Sequence, residues 1–334
     1  MSTSSKILEL LKNSSAETMS SSVLCEALGI SRNAVWKHVN ALRARGYVID
    51  AHSRCGYRLV ESPDRPCASE VIPLLNTEFA GRSLIFKENT VSTNSDASSG
   101  AENGCADGTL FCADAQSGGR GRMKRHWFSP SGINLYFSLV LRPGIPVSQA
   151  SSLPLVAGIG LVSAIKKLAP ELNPQVKWPN DILIDGKKVC GILCEMQAEI
   201  DCRVRYIIAG AGINVNLAQS ALPGNLQEIA TSLKIECRRN FSRTQLLAEI
   251  INQFEPLYTS WVNNGFAPLK TRMDEFDALK NRPVQIQQGK HLLSGIACGV
   301  QDDGALLIHT GKGMELAYSG EIKAAFSGNQ TLTK

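Results

Sequence analysis

Hydrophobic positions in the first sixty residues recur at helical spacing in three short runs. These positions are Ile7, Leu8 and Leu11, then Val23, Leu24, Ala27 and Leu28, then Val35, Val39 and Leu42. Gly29 suits a tight turn before the third run, and Ser31 suits the N-cap of its helix. Two strand-like runs follow at 48–50 and 57–59, around a tip that contains Arg54. This order predicts a winged helix-turn-helix over residues 1–62.

The third predicted helix is rich in cations and amides opposite its apolar stripe. Asp50 is the sole acidic residue between Arg32 and Arg58, and such a basic region favours a polyanionic partner. The predicted DNA-binding residues are Ser31, Arg32, Asn33, Lys37, His38, Asn40, Arg43 and Arg54. Operator DNA is therefore an expected partner. The alternative is that the fold serves protein contacts only.

A polar stretch with Pro63 and Pro66 suits a linker, and the pattern changes after it. Residues 135–140 alternate as a strand, and apolar runs at 182–184 and 189–194 flank Asp185 and Gly186, which is a strong hairpin signal. We expect a mixed sheet flanked by helices over residues 67–280.

The last part of the chain, residues 281–328, shows five short strand patterns, most of them separated by turns that contain glycine, and resembles an SH3-like domain. The patterns lie at 284–286, 292–300, 305–309, 314–318 and 321–326. These patterns predict a small β-barrel. Its role is either a structural cap or closure over the nucleotide with docking of an acceptor. The chain as a whole is predicted to be α+β.

Composition narrows the class of protein. The 334 residues are 43% hydrophobic with a net charge of +5, which is ordinary for a globular protein with several domains. The most apolar run, 153–168, contains Pro154, Gly158 and Gly160, so we expect a buried helix and no membrane span. The N-terminus lacks the pattern of a signal peptide, which predicts a cytoplasmic protein. Ten scattered cysteines predict reduced thiols and no protein metal site.

The segment 118–127 combines three glycines with four cations and ends in Trp127. Glycines let backbone amides approach a ligand closely, and guanidinium groups bind carboxylates and phosphates. Basic glycine-rich runs are often only surface loops or nucleic-acid contacts. Here Trp127 offers a flat face for a nucleobase, and the segment leads into a core strand, so we expect a ligand-binding loop.

A second segment, 176–197, places Lys187 and Lys188 at the start of a return strand and Asn180 and Asp181 at a strand entrance. A DGKK turn by itself is usually only a solvated turn, and the KWPND sequence before it raises its interest. A third segment, 207–216, lacks the last glycine of a dinucleotide fingerprint, and the chain has no P-loop. ATP, if it is used, must be held in another way.

Taken together, the sequences VSTN (91–94), QSGGRGR (116–122), KWPND (177–181), DGKK (185–188) and GAGINVN (210–216) resemble the bacterial bifunctional biotin protein ligases and biotin operon repressors. The resemblance extends over nearly the whole chain. It implies biotin contacts at Ser92, Thr93, Asn94, Gln116, Arg120, Gly121, Arg122 and Lys188. It implies nucleotide contacts at Trp127, Asn180 and Asn214.

The resemblance also implies a reaction. Arg120, Arg122 and Lys188, with Mg2+, would relieve the negative charge while the carboxylate of biotin reacts with ATP. Asp181 would orient or deprotonate the acceptor lysine, and a structural role at the strand end is equally open. The implied acceptor is the biotin carboxyl carrier protein of acetyl-CoA carboxylase. A homodimer that forms when the adenylate is bound would pair the strand edge at 189–194.

The chain departs from the family pattern at Lys124, where the family usually has glycine. We expect this change to alter the ordering of the loop rather than the activity. Two other functions fit the same motifs. One is a ligand-sensing transcription factor without catalysis, and the other is a lipoate protein ligase, although the STN and GRGR combination favours biotin.

Overall fold

The structure is a computed structural model that describes residues 3–14, 18–52 and 56–325. The chain divides into two units, Met1–Arg65 and Pro66–Lys334. The first unit holds three helices, α1 (Thr3–Asn13), α2 (Ser21–Leu28) and α3 (Arg32–Arg43), and an antiparallel pair of strands, β1 (Val48–His52) and β2 (Gly56–Glu61). The predicted winged helix-turn-helix is confirmed, and Arg54 lies outside the described residues.

The helix boundaries in the first unit follow the predicted local signals. The Ser31 hydroxyl accepts a hydrogen bond from the backbone N–H of Ala34, and Gly29 adopts a left-handed conformation with φ of 65°. The prediction placed too many residues of α2 on its apolar face. Leu24 is buried, but Val23 is 49% exposed and Ala27 is also exposed, because a helix of two turns touches the core along one line only.

The second unit is built on a seven-stranded mixed sheet. Its strands are β3 (Leu84–Thr90), β4 (Leu110–Gln116), β5 (Leu135–Leu141), β6 (Gln175–Lys177), β7 (Asp181–Ile184), β8 (Lys187–Ala198) and β9 (Val204–Ile213), in the spatial order β3-β4-β5-β9-β8-β7-β6. β3 and β4 are parallel, and the other neighbours are antiparallel. The associated helices are α4 (Ala68–Val71), α5 (Thr93–Glu102), α6 (Val147–Ala150), α7 (Leu153–Leu168), α8 (Leu233–Cys237), α9 (Arg243–Asn264) and α10 (Lys270–Phe276).

The two faces of this sheet are covered differently. The helix α7 packs against α9 and against β6, β7 and β8, whereas α5 covers β4, β5 and β9. By length and composition the stretch Val147–Leu168 is apolar enough to cross a membrane, but 67% of its most apolar window is buried within the protein. The prediction of a buried core helix at 153–168 is confirmed.

The C-terminal part forms a five-stranded antiparallel sheet. Its strands are β10 (Pro283–Gln288), β11 (His291–Val300), β12 (Leu306–Thr310), β13 (Gly313–Ala317) and β14 (Glu321–Ala325), in the order β13-β12-β11-β10-β14. All five strands appear where the alternating pattern predicts them. The last one was predicted to reach Phe326, which lies outside the described residues.

The predicted dimer edge at 189–194 needs correction. β7 pairs with β8 from Lys187 to Gly191 on one side, while β9 pairs with β8 on the other. The backbone N–H of Ile192 also donates to the carbonyl of Asn180, at 2.9 Å. The hairpin that turns at Asp185 and Gly186 therefore covers this half of β8, and only the stretch from Leu193 to Ala198 lies beyond β7.

Candidate active site

Gly210 and Gly212 on β9, with Gly191 on the neighbouring strand β8, line a cavity of about 620 Å³. A Cβ atom at Gly210 would lie 1.9 Å from Oδ1 of Asn94, and one at Gly212 would lie 2.4 Å from Nε1 of Trp127. These glycines face the side of the sheet that α5 covers. Without a side chain at either position, Asn94 and the indole of Trp127 can lie directly on the sheet.

The N-terminal end of α5 supplies buried polar groups to the cavity. Ser92 and Thr93 are buried where the strand β3 leads into this helix. The backbone N–H of Thr93 donates to Oε1 of Gln116 at 2.9 Å, and Nε2 of Gln116 donates to Oγ of Ser129 at 3.1 Å. Gln116 is thereby held in one orientation, with its amide beside the start of the helix.

Asn94 belongs to a second chain of hydrogen bonds. Its Nδ2 donates to Oε2 of Glu195 at 2.7 Å, and its Oδ1 accepts from Oγ of Ser138 at 2.6 Å. Oγ of Ser138 also lies 2.8 Å from Oγ1 of Thr93. Ser138 is fully buried on β5, so it fixes both side chains from below. Sequence reasoning missed Ser138 and Glu195, which stand out only as polar residues within strand patterns.

The glycine-arginine loop lies over this cluster and is bonded at several points. Arg120 donates to Oγ of Ser95 at 3.1 Å. Arg122 donates to Oδ1 of Asn180 at 3.1 Å and to the carbonyl of Gly320 at 3.2 Å. Gly121 lines the cavity and bonds through its N–H to the carbonyl of Arg125. The loop therefore connects the central sheet with the C-terminal sheet.

Lys124, where the chain departs from the family pattern, has a left-handed backbone conformation. Met123 and Lys124 have φ values of 55° and 60°, a region that costs side-chain-bearing residues free energy and that glycine adopts readily. The neighbouring Arg125 forms an ion pair with Glu321 of the C-terminal sheet.

Lys188 contacts both a carboxylate and an aromatic ring of the cavity. Its Nζ lies 2.6 Å from Oδ1 of Asp181 and 5.4 Å from the centre of the Trp127 ring. The backbone N–H of Lys188 donates to the carbonyl of Ile229, and the backbone N–H of Thr231 donates to the carbonyl of Lys188. The segment around 222–230 therefore forms a further wall of the cavity, which sequence reasoning did not find.

Asn180 and Asn214, the two asparagines predicted to contact the nucleotide, differ in their hydrogen bonds. Nδ2 of Asn180 donates to the carbonyl of Ile192 at 2.9 Å, and its Oδ1 accepts from Arg122, so Asn180 joins the loop to the sheet. Asn214 lines the cavity, but its amide donates to the carbonyl of Thr231 and accepts from Asn134. Its side chain is thus engaged in holding the wall.

The structure therefore brings the predicted site residues of the second unit into one cavity. Ser92, Thr93, Asn94, Gln116, Arg120, Gly121, Arg122, Trp127, Asn180, Asp181, Lys188 and Asn214 all line it. Among the described residues, no three His, Cys, Asp or Glu side chains form a metal-binding group. The cysteines in the described ranges are free thiols, and burial raises the pKa of the Cys190 thiol well above its usual range.

In the first unit, the predicted DNA-binding residues divide into two sets. Ser31, Arg32, Asn33 and Lys37 are exposed. By contrast, Nε of Arg43 donates to the carbonyl of Ile49 at 3.0 Å, and Nη1 donates to Oδ1 of Asn40 at 3.3 Å. Nδ1 of His38 lies 2.9 Å from the hydroxyl of Ser4 on α1. Arg43 and His38 thus make contacts inside this unit.

This fold and this cavity define a ligase class fused to a helix-turn-helix. Residues 87–214 match the biotin/lipoate A/B protein ligase family, residues 3–58 match a helix-turn-helix domain, and residues 281–323 match the biotin protein ligase C-terminal domain. The biotin protein ligase of Aquifex aeolicus, solved with biotin and ATP, superposes with a TM-score of 0.63 at 29% identity. That match covers 72% of this chain and 98% of the Aquifex chain.

Two curated relatives match this chain over nearly its whole length. The bifunctional ligase/repressor BirA of Bacillus subtilis strain 168 is 39% identical over 317 residues, which is 95% of this chain and 97% of the relative. The BirA of Escherichia coli K12 is 32% identical over 95% of each chain. The chain belongs to the BirA family of bifunctional ligase/repressors.

Proposed function

We propose that this protein is an ATP-dependent biotin protein ligase that also represses transcription. The observation that carries the enzymatic part is the single cavity in which Arg120, Arg122, Lys188 and Trp127 meet the buried polar groups at the start of α5. Cations and a flat aromatic face suit a carboxylate and a nucleotide side by side. The names of the curated relatives point to the same chemistry.

The ureido ring of biotin, with two N–H donors and one carbonyl acceptor, is the group that the buried cluster binds. Ser92, Thr93, Asn94 and Gln116 offer hydroxyl and amide groups that can satisfy such a ring in a buried pocket. The fixed orientations of Thr93 and Asn94 lower the cost of binding, because the polar groups need not be ordered when the ligand enters. The carboxylate of biotin then lies toward Lys188.

In the first step, a carboxylate oxygen of biotin attacks the α-phosphorus of ATP. The bond from the α-phosphorus to the bridging oxygen breaks, and pyrophosphate leaves with biotinyl-5'-AMP as the product. Arg120, Arg122 and Lys188 stabilise the negative charge that accumulates on the phosphate oxygens. Trp127 and Asn180 lie on the nucleotide side, and Asn214 supports the wall beside it.

Magnesium enters with ATP. Three acidic side chains line the cavity. Asp181 is paired with Lys188, Glu321 is paired with Arg125 and Lys323, and Glu228 is exposed. This donor set suits an ion held by the nucleotide phosphates and water better than an ion in a protein cage. When bound, Mg2+ supplies further neutralisation of the phosphate charge.

In the second step, the amine of an acceptor lysine attacks the carbonyl carbon of the mixed anhydride. An amide forms, AMP leaves, and the amine loses a proton. Asp181 orients the amine or accepts that proton, since its carboxylate lies at the cavity next to Lys188. The acceptor is the biotin carboxyl carrier protein of acetyl-CoA carboxylase, an assignment that the Paracoccus denitrificans biotin--[acetyl-CoA-carboxylase] ligase, 30% identical over 70% of this chain, supports.

The repressor part rests on the basic face of α3, where Arg32, Asn33 and Lys37 are exposed and within reach of operator DNA. The adenylate-bound protein forms a homodimer, which presents two helix-turn-helix units to two half-sites. We include cytoplasmic localisation without a membrane partner in this proposal. An acceptor enzyme and a DNA target inside the cell support it, as do the free thiols in the described ranges. Sedimentation with and without biotin and ATP tests the dimer, and an unchanged mass would contradict it.

The enzymatic proposal is tested by incubating the full chain with biotin, ATP, Mg2+ and a biotin carboxyl carrier domain. We expect the intact mass of the acceptor to rise by one biotinyl group. Lipoate in place of biotin should give no mass increase, and an increase would identify a lipoate ligase instead. If the protein binds biotin but leaves the acceptor mass unchanged, it is a ligand sensor without catalysis.

A further inference from the structure

Trp36 is the largest exposed apolar side chain in the described part of the helix-turn-helix unit. It is 56% exposed at the middle of α3, and sequence reasoning did not single it out. Burying an exposed indole against a partner removes apolar surface from water, which is favourable for binding. Singly exposed apolar side chains are common on protein surfaces, so the neighbours of Trp36 decide which partner it suits.

The surroundings of Trp36 identify the kind of partner. Asn33 and Asn40 lie three residues before and four residues after Trp36, so they share its helix face, and Arg32 lies one turn before it. Lys37 is adjacent and exposed. An apolar ring among cations and amides does not suit a neutral apolar surface. It suits a polyanion that presents apolar groups between phosphates, as thymine methyl groups do in the major groove.

We propose that Trp36 packs against thymine methyl groups in the major groove and supplies an apolar, salt-independent part of operator recognition. Arg32 and Lys37 supply the ionic part, because cations that meet phosphates release counterions and make the affinity depend on salt. This inference rests on the DNA binding proposed above. It adds that one residue between the cations discriminates between sequences.

The test uses the full chain with biotin, ATP and Mg2+, and a duplex enriched from a random pool by the wild-type protein. Trp36→Ala should weaken binding to this duplex about tenfold, a loss typical of one mismatched base pair. The slope of log affinity against log salt should not change. Lys37→Ala should instead reduce this slope by about 0.9 for a lost phosphate contact and weaken a scrambled duplex equally.

Replacing thymine by uracil in the enriched duplex removes only the methyl groups and closes a double-mutant cycle. Uracil should weaken the wild type and leave Trp36→Ala unaffected. Trp36→Phe keeps an aromatic ring and should retain most of the affinity. That result would show that the site tolerates substitution. Met314→Ala removes an apolar side chain that is 63% exposed on the C-terminal sheet, and it should bind DNA as the wild type does.

The outcomes separate this inference from DNA binding itself. Wild-type affinity of a folded Trp36→Ala variant, or an unchanged uracil penalty in that variant, would overturn the role of Trp36. Intact DNA binding combined with an altered sedimentation mass would assign Trp36 to a protein contact instead. If the wild type enriches no duplex, the repressor function fails together with the inference, while the ligase assay stands independently.

Discussion

Nζ of Lys188 lies 2.6 Å from Oδ1 of Asp181, and both side chains open onto the same cavity. The cation of this pair acts in the first proposed step, and the carboxylate acts in the second. We expect Lys188→Ala to reduce pyrophosphate release at least about 100-fold, because a charge that stabilises the transition state is lost. Wild-type activity in this variant would remove Lys188 from the site.

Asp181→Asn should affect the second step more than the first. The variant keeps a side chain of the same size but cannot accept a proton, so we expect transfer from isolated biotinyl-5'-AMP to the acceptor to slow about 100-fold. Pyrophosphate release without acceptor should change less. Equal losses in both steps would show that Asp181 acts only by holding Lys188.

Ser138→Ala should weaken biotin binding selectively. The hydroxyl contacts Oγ1 of Thr93 and Oδ1 of Asn94 from the buried strand β5, and its loss removes one hydrogen-bonding partner from each. We expect the Kd for biotin to rise about tenfold, since one buried hydrogen-bonding partner is worth about 1–3 kcal/mol, while the Kd for ATP stays the same. Calorimetry measures both constants.

Ser163→Ala is the matched control for Ser138→Ala. Ser163 is a buried serine on α7 that donates to the carbonyl of Ile159, on the opposite side of the sheet. An equal rise in the biotin Kd of this variant would indicate a general loss of stability rather than a local effect.

Lys124→Gly should stabilise the conformation in which the loop 118–127 lies over the cavity, which is the closed loop. With φ of 60° at this position, glycine removes about 1 kcal/mol of backbone strain, partly offset by its greater freedom in the open loop. We expect slower cleavage of the segment 118–127 by subtilisin and slower release of the adenylate. Lys124→Ala keeps the strain and removes the charge. If alanine has the same effect as glycine, the charge and not the backbone is responsible.

The buried ion pair between Arg243 and Asp114 should govern stability at acid pH. Nη1 of Arg243 lies 2.7 Å from Oδ1 of Asp114. Burial raises the pKa of Asp114, but hydrogen bonds from Ser131 and Arg243 and the guanidinium charge outweigh it, so its pKa lies below the ordinary value of 3.8. A depressed pKa stabilises the fold above about pH 4, and this stabilisation is lost as pH falls through the folded pKa.

Arg243→Met should reverse this dependence. Without its partner the buried carboxylate prefers to be protonated, so the variant should lose stability as pH rises above about 4. At pH 7 we expect the free energy of unfolding to fall by about 3–5 kcal/mol, and urea unfolding between pH 4 and 8 measures it. Asp114→Asn in the same chain should recover part of the loss. Identical pH profiles for wild type and Arg243→Met would contradict the prediction.

Local patterns in the sequence were sufficient to predict most elements of this protein. Helical spacing, the Ser31 cap and the Asp185–Gly186 turn each depend on neighbouring residues along the chain, and so do the five short C-terminal strands. The glycine-arginine loop and Lys188 stood out because their residue types are unusual together. The family resemblance extended this prediction to specific ligand contacts.

Only the tertiary structure decided what each residue contacts across the fold. Ser138 and Glu195 read as ordinary strand residues until β5 and β8 bring them to Asn94. Arg43 and Trp36 lie on one short helix, yet packing ties the first to Ile49 and leaves the second exposed. The contacts that Ser138 and Glu195 make with Asn94 join residues 44 and 101 positions apart, and spacing along the sequence carries no record of them.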